Sequence, residues 1–171
     1  DFDYRVDPNE VCGAKFVAPE NEQYKLVTYK DEAAAEADGA YITHKGGCGY
    51  CSSLRDLEAY IAYPDMTYYV RNCAIKSFIS PSWSRACLWN LGLSLPCAEV
   101  WYRNARHTRE KCLFTCLWNL RTPNNAPDGS LSSCIACDEE LSGPVFKKAS
   151  ARTRRNSGLF SAINRPGPSV Y

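Results

Sequence analysis

The sequence lacks several features that would settle its functional class. Among its 171 residues there are only two histidines, no Asn-x-Ser/Thr triplet, and a formal net charge of only +1. The missing triplet excludes N-glycosylation at its usual acceptor, and the small net charge argues against a nucleic-acid-binding protein. No apolar run approaches the roughly 18 residues that a membrane-spanning helix needs, so no membrane span is predicted.

Cysteine, by contrast, is abundant. Ten cysteines are an even number and well above the usual frequency, which is typical of an oxidising compartment. We therefore predict a secreted, extracellular protein whose cysteines form structural disulfides. Ten cysteines allow about 945 pairings, so the sequence assigns no connectivity. The predicted disulfide cysteines are Cys12, Cys48, Cys51, Cys73, Cys87, Cys97, Cys112, Cys116, Cys134 and Cys137.

The order of local patterns predicts an α+β fold, a helix-dominated and disulfide-stapled single domain with a small sheet and one long central helix. An irregular acidic N-terminal arm covers residues 1–22, a cysteine-rich globular domain covers residues 23–165, and an extended tail covers residues 166–171. Alternating β-formers predict strands over residues 23–30 and 40–44.

The remaining segments carry mainly helix signals. The alanine-rich segment 31–38 with early acids predicts a short helix, and Ser52 or Ser53 can cap a second helix that follows. Residues 66–72, with two tyrosines and a valine, predict extended chain. Further helices are predicted over residues 82–91 and 96–120.

Three cysteines of the longest predicted helix fall on one face of it. Cys112 and Cys116 are four residues apart and point the same way, so a disulfide between them would be strained. We expect Cys97, Cys112 and Cys116 each to reach a different segment, which would make the long helix a spine for the fold.

A Cys-x-x-Cys turn lies between a predicted strand and a predicted helix. The segment Cys48-Gly49-Tyr50-Cys51 resembles the active turn of the thioredoxin and disulfide-isomerase families, where a helix N-terminus stabilises a thiolate. The resemblance implies a thiol-disulfide oxidoreductase that uses Cys48 and Cys51. A four-thiolate zinc site with Cys134 and Cys137 is the alternative, and structural disulfides are favoured over both.

The two histidines offer an enzymatic alternative. If the turn with His44 packs on the polar face of the long helix, where His107 lies, the two could form an acid–base or metal site. The opposing interpretation is two ordinary histidines, one exposed and one hydrogen-bonded in a turn. The candidate catalytic residues are His44, His107, Arg109, Asp56, Glu139 and Arg152.

Charge is distributed unevenly along the chain. Residues 1–40 carry a net charge of −6, whereas residues 138–171 carry +3 and include a predicted basic helix from Gly143 to Gly158. On that helix Arg152 and Arg155 are three residues apart and could form one anion clamp. The acidic arm and the basic helix could also attract each other between copies, which would give self-association.

Three motifs carry a resemblance to a known group of proteins. They are His44-x3-Cys48-Gly49-x-Cys51-Ser52, His107-Thr108-Arg109-x2-Cys112, and the segment from Ser142-Gly143-Pro144-x-Phe146 to Arg152-Thr153-Arg154-Arg155-x-Ser157-Gly158. Over roughly residues 40–168 the chain resembles uncharacterised secreted cysteine-rich proteins of algae and other microbial eukaryotes. The resemblance implies one secreted domain and supplies no mechanism.

The sequence thus favours a secreted, disulfide-stabilised structural or binding protein of an extracellular or cell-surface assembly, without catalysis. The alternative is a small secreted enzyme built on His44 and His107, and the third hypothesis is the oxidoreductase. No cofactor is predicted.

Overall fold

The computed structural model describes residues 7, 9–18, 20, 22–119 and 122–165. The predicted tail 166–171 and the first six residues of the predicted arm lie outside them. The strands are β1 (Val11–Ala18), β2 (Gln23–Tyr29) and β3 (Tyr41–Lys45). The helices are α1 (Glu32–Ala37), α2 (Leu54–Ala62), α3 (Met66–Lys76), α4 (Pro81–Asn90), α5 (Leu95–Trp118), α6 (Ser133–Leu141) and α7 (Gly143–Ser150), and a 3-10 turn covers Arg155–Ser157.

The sheet is small and antiparallel, in the order β2-β1-β3. Its central strand β1 lies within the segment that the sequence predicted as an irregular arm, so that prediction is wrong for residues 11–18. The first four residues of β1 are buried whichever face of the sheet they point to. A strand covered on both faces has no reason to alternate apolar and polar residues, and the alternation signal was therefore missing.

The elements with strong local signals are confirmed. Strands β2 and β3 and helix α1 lie within two residues of their predicted bounds. Asp31 caps α1 by accepting a hydrogen bond from the Ala34 amide at 2.7 Å, as expected of an aspartate before an alanine-rich run.

Helix α3 replaces the extended segment predicted over residues 66–72. Asp65 caps it by accepting from the Tyr68 amide at 3.1 Å. Met66, Val70 and Cys73 are buried on one face of α3, at the spacing of a helix that packs on a core. This burial outweighs the β preference of the tyrosines and the valine, so the prediction is wrong here.

Helix α5 is the central helix of the fold. Ser94 caps it and Pro96 lies in its first turn. It ends at Trp118, and the predicted end at Leu120 lies outside the described residues. The main core forms between α2, α3, α4 and the first half of α5. Its buried residues are Cys51, Ala59, Tyr60, Met66, Val70, Cys73, Leu88, Leu93, Cys97, Ala98 and Tyr102.

The C-terminal part differs from the single long basic helix predicted over residues 143–158. Helix α7 ends at Ser150 because Ala151 adopts a left-handed conformation with φ of 59°, which a helix cannot continue through. A further helix, α6, lies just before it and packs on α5. Of the basic residues in the predicted helix, Lys147 and Lys148 belong to α7, whereas Arg152, Arg154 and Arg155 follow it.

Five disulfides use all ten cysteines. The pairs are Cys12–Cys48, Cys51–Cys97, Cys73–Cys87, Cys112–Cys137 and Cys116–Cys134. Helix α5 holds one cysteine of three pairs, but Cys112 and Cys116 both reach α6, so the expectation of three separate segments is wrong. The predicted fold class is confirmed: a helix-dominated α+β fold with a small sheet, one long helix and five disulfides. Within the described residues, every helix is too short or too polar to span a bilayer.

Candidate functional site

Two of the predicted site residues, His44 and Arg152, lie together with Ser52 in the interior. We call these three residues the buried cluster. Their residue exposures are 2%, 0% and 0%. His44 comes from the end of β3, Ser52 from the turn before α2, and Arg152 from the segment after α7. The His44 Nε2 atom lies 2.8 Å from Ser52 Oγ, and its Nδ1 atom lies 2.9 Å from the carbonyl oxygen of Lys45.

The hydrogen-bond partners fix the proton positions on His44. A carbonyl oxygen can only accept, so Nδ1 carries the hydrogen and Nε2 accepts from the Ser52 hydroxyl. Burial is the main cause that lowers the pKa of His44 to about 4, and the charge of Arg152 lowers it further. His44 is therefore neutral at neutral pH.

A serine that donates to a neutral, oriented histidine has the geometry of a nucleophile and its base. Here the pair is enclosed, because both side chains are buried and Ser52 Oγ also accepts from the Gly49 amide at 2.8 Å. In this arrangement the two residues fix the turn before α2 to the end of β3. Chemistry on a substrate would require this part of the fold to open.

Arg152 holds the same turn from the other side. Its Nε donates to the Cys51 carbonyl at 2.8 Å, and its two other nitrogens donate to the carbonyls of Ser52 and Thr43 at 3.0 and 3.1 Å. Burial lowers the pKa of Arg152 to about 10, so the side chain stays charged at neutral pH. The predicted anion clamp of Arg152 and Arg155 is wrong, because the Arg152 guanidinium is buried and donates hydrogen bonds to backbone carbonyls.

The Cys48–Cys51 turn is pressed against the end of α7. A Cβ atom on Gly49 would lie 2.6 Å from Ala151 Cβ and 2.9 Å from the Ala149 carbonyl oxygen, so only glycine fits there. Cys48 is bonded to Cys12 and Cys51 to Cys97. The predicted redox pair Cys48–Cys51 is therefore wrong, and so is the four-thiolate zinc site.

The second histidine lies in a different polar group. His107 on α5 has its Nδ1 atom 2.9 Å from the hydroxyl of Ser142, which precedes α7. Thr108 bonds the carboxylate of Asp138, and Asn104 donates to the same oxygen at 3.4 Å. Burial raises the pKa of Asp138, against the hydrogen bond from Thr108.

Asp56 joins two helix N-termini. Its carboxylate accepts from the Ser53 hydroxyl at 2.5 Å, and from the amide and hydroxyl of Ser94 at 2.8 and 2.9 Å. Ser53 caps α2 and Ser94 caps α5. A buried carboxylate in this position is stabilised by the positive ends of both helix dipoles, which is a structural role.

The large concave feature of the described residues is a groove of about 1350 Å³. We call it the groove: it lies among α3, α5, α6, α7 and the segment 153–165. Apolar side chains form much of its wall. Among them are Val70, Ile75, Trp101, Leu113, Ile135 and Phe146. A volume of this size exceeds that of a typical drug-sized pocket, roughly 300–1000 Å³.

Two of the predicted site residues, Arg109 and Glu139, line the groove. Glu139 accepts from Lys147 at 2.6 Å and from two nitrogens of Arg165 at 2.6 and 2.8 Å. Burial alone would raise the pKa of Glu139, but the bonds and charges of Lys147 and Arg165 outweigh it, so that the pKa is lowered.

The inner wall of the groove contains polar atoms without a partner. The Tyr60 hydroxyl and the Trp101 Nε1 atom are buried and have no hydrogen-bond partner among the described residues. The two rings lie 6.3 Å apart between centroids. Burial is the main cause that raises the pKa of Tyr60, so its hydroxyl is neutral.

The structure thus divides the predicted site residues. His44 and Arg152 share the buried cluster, Arg109 and Glu139 share the groove, and His107 and Asp56 belong to neither. No described hydrogen bond links the two histidines through one partner. The enzymatic hypothesis stays a prediction without a contact that supports it.

Sequence reasoning missed Ser52 as a partner of His44 and Arg71 as a groove residue. The strand-to-turn order around His44 could have suggested the first. Arg71 was hidden because its segment was predicted as extended. Among the described residues, no group of three or more metal-ligating side chains could hold a metal ion.

Comparison with known proteins gives one family. Residues 81–171, more than half of the chain, match the model of DUF8771, a family of unknown function. This segment contributes α4 to α7 and the segment after them. No curated protein matches the chain, and no solved structure matches it.

Proposed function

We propose that this chain, which belongs to the DUF8771 family of unknown function, is a secreted, non-catalytic binding protein whose groove holds an apolar ligand. The groove carries the proposal. It is large, mostly apolar, and built on helices that disulfides hold in place: Cys116 and Cys134, which bond α5 to α6, both line it. A rigid apolar concavity favours ligand binding because little ordering is needed on association.

The polar groups of the molecule support binding over catalysis. Of the two described serine–histidine pairs, His44 and Ser52 are both buried, and in the other pair the serine beside His107, Ser142, is buried as well. The acidic groups that line the groove near α6 are already bonded to partners. A catalytic site would need a reactive group that faces a substrate.

The disulfides support an extracellular location, because such bonds persist in oxidising compartments. Alkylation of the protein isolated from its own cells, without reductant, should leave all ten cysteines unmodified. Recovery of free thiols at stoichiometric level would count against secretion. Assembly through self-association stays a prediction, and sedimentation at increasing concentration tests it.

The binding proposal is tested with Nile red, a neutral apolar dye whose fluorescence rises in apolar surroundings. We expect saturable binding by the native protein. In the variant Ala105→Trp a large side chain occupies the groove, and the affinity for the dye should fall at least about tenfold. Ala136 lies exposed on α6 outside the groove, so Ala136→Trp is the matched control and should bind as the native protein does.

Circular dichroism and a thiol count would establish that both variants fold. Absence of saturable binding by the native protein would overturn the proposal. Equal affinity of the folded Ala105→Trp variant would overturn the assignment to the groove.

A further inference from the structure

Two arginines face the groove without a carboxylate partner. Arg71 lies on α3 and Arg109 on α5, and both line the groove. Arg109 donates to the Ser77 hydroxyl at 2.9 Å, and its guanidinium carbon lies 4.9 Å from the centroid of the Phe78 ring. Within the described part of the chain, neither arginine has an acidic group in salt-bridge range, and Arg71 has no hydrogen-bond partner there either.

The two arginines lie on adjoining walls of the groove. Arg109 donates to Ser77, and its guanidinium lies against the Phe78 ring, just after the C-terminal end of α3, the helix that carries Arg71. Both side chains line the same cavity, so an anion bound there would be attracted by both.

The remaining charges of the groove do not cancel this pair. Eight basic and five acidic side chains line it. Glu139 is occupied by Lys147 and Arg165, and Asp138 is bonded by Thr108. Asp65 caps α3 and also accepts from Asn124 at 3.3 Å. The excess of base leaves a positive potential in a concave wall of low polarity, where its effect is strongest.

Apolar side chains surround the arginines. On α3, Ala74 and Ile75 lie one turn after Arg71 on the groove side, and on α5 Leu113 lies one turn after Arg109. An anion bound there would have apolar surface directly beside it. The groove therefore combines a site for one negative head group with space for a long apolar chain.

We propose that the ligand of the groove is a long-chain carboxylate, whose head group is bound by Arg71 and Arg109 and whose chain occupies the apolar wall. This rests on the proposed function and adds the charge and shape of the ligand to it. A guanidinium matches the planar carboxylate with two parallel hydrogen bonds. Arg71 and Arg109 each have free N–H groups for this among their five donors.

Dodecanoate is the probe, measured by displacement of Nile red below its micellar concentration. The comparison ligands are dodecanol, which lacks the charge, dodecyltrimethylammonium, which reverses it, and acetate, which lacks the chain. We expect dodecanoate to bind at least about tenfold more tightly than dodecanol. Acetate should not compete, and the cationic ligand should be the weakest of the long-chain probes. Added salt should narrow the difference between dodecanoate and dodecanol.

The variants Arg71→Gln and Arg109→Gln separate the head-group site from the apolar wall. Each should weaken dodecanoate binding at least about fivefold more than it weakens the binding of dodecanol or Nile red. Arg103→Gln removes the same charge from an exposed position of α5 outside the groove and should change nothing. Arg71 makes no hydrogen bond or ion pair within the described residues, so Arg71→Gln should fold. It therefore tests the proposal even if Arg109→Gln folds poorly.

The result that overturns the inference is equal binding of dodecanoate and dodecanol, or equal dodecanoate binding by native protein and folded Arg71→Gln. Nile red would still bind in that case, and the proposed function would stand without its anionic ligand. If the native protein bound neither dodecanoate nor Nile red, both the proposed function and this inference would be overturned.

Discussion

The buried cluster and the groove differ in whether their polar side chains have hydrogen-bond partners within the protein. In the buried cluster, His44, Ser52 and Arg152 are enclosed, and each has hydrogen-bond partners inside the protein. In the groove, Arg71 has no hydrogen-bond partner among the described residues.

A saturated polar group stabilises a fold because its loss leaves buried partners unpaired. An unsaturated group at an open surface stabilises little and can bind something else. The difference assigns stability to one region and recognition to the other. The pair whose hydrogen bond resembles that of a nucleophile and its base, Ser52 and His44, thus lies in the structural region.

Removal of the disulfide beside the buried cluster should have the largest effect. Cys51 and Cys97 are separated by 46 residues, so the double variant to serine should lower the free energy of unfolding by about 4 kcal/mol. The groove-side pair Cys116–Cys134 spans only 18 residues, and Cys112–Cys137 still joins the same helices. Its loss should cost only about 2 kcal/mol. Urea unfolding of the two double variants measures both, and equal losses would remove this contrast.

The substitution Arg152→Met should have the second largest effect on stability. The methionine fills similar space but leaves the carbonyls of Thr43, Cys51 and Ser52 without their donor. We expect the free energy of unfolding to fall by about 3 kcal/mol. Arg103→Met, at an exposed position, serves as the control and should stay within about 0.5 kcal/mol. A folded Arg152→Met protein of native stability would show that these bonds contribute little.

Acidification should destabilise the buried cluster through His44. The folded pKa is about 4, below the value of about 6.5 in an unfolded chain. The unfolded state binds the proton more readily, so this contribution is complete above pH 6.5 and is lost as the pH falls towards 4. At pH 4.5 the loss should be about 2–3 kcal/mol. His44→Gln does not titrate, and its unfolding free energy should lack this part of the pH dependence.

Substitution of Arg71, which lines the groove, should have the smallest effect on stability. Arg71→Gln removes no described bond, so the free energy of unfolding should change by less than about 0.5 kcal/mol while carboxylate binding falls. Thermal and urea unfolding, measured beside the binding assay, would test this separation. A loss of stability comparable to that of Arg152→Met would make the groove a structural region as well.

The sequence predicts well those elements whose causes are local. Helix α1 has its cap at Asp31 and its alanines next to one another, so a short window contains all that is needed. Strand β1 and helix α3 depend on what covers them. Their first residues are buried by segments distant in the chain, and no local pattern reports this.

The site was less predictable than the fold for the same reason. The partner of Ser52 is eight residues away, but Arg152 reaches the same turn from 100 residues away. The groove is formed by the packing of four helices, and the disulfide pairing that holds two of them is one among about 945. Only contact across the fold distinguishes an arginine that stabilises the protein from one that faces a ligand.

The paired disulfides between α5 and α6 have a consequence for the loop that joins these helices. Cys112–Cys137 and Cys116–Cys134 enclose residues 117–133, and both bonds connect helical segments on either side of that loop. A protease that cuts the chain between Thr122 and Ser132 would leave both fragments covalently joined, twice over. The cleaved protein would run as two pieces only after reduction. Its helix pair would keep its register, since the two crosslinks set the alignment without the loop. A protein with such a segment can lose the continuity of its backbone there and remain a single molecule.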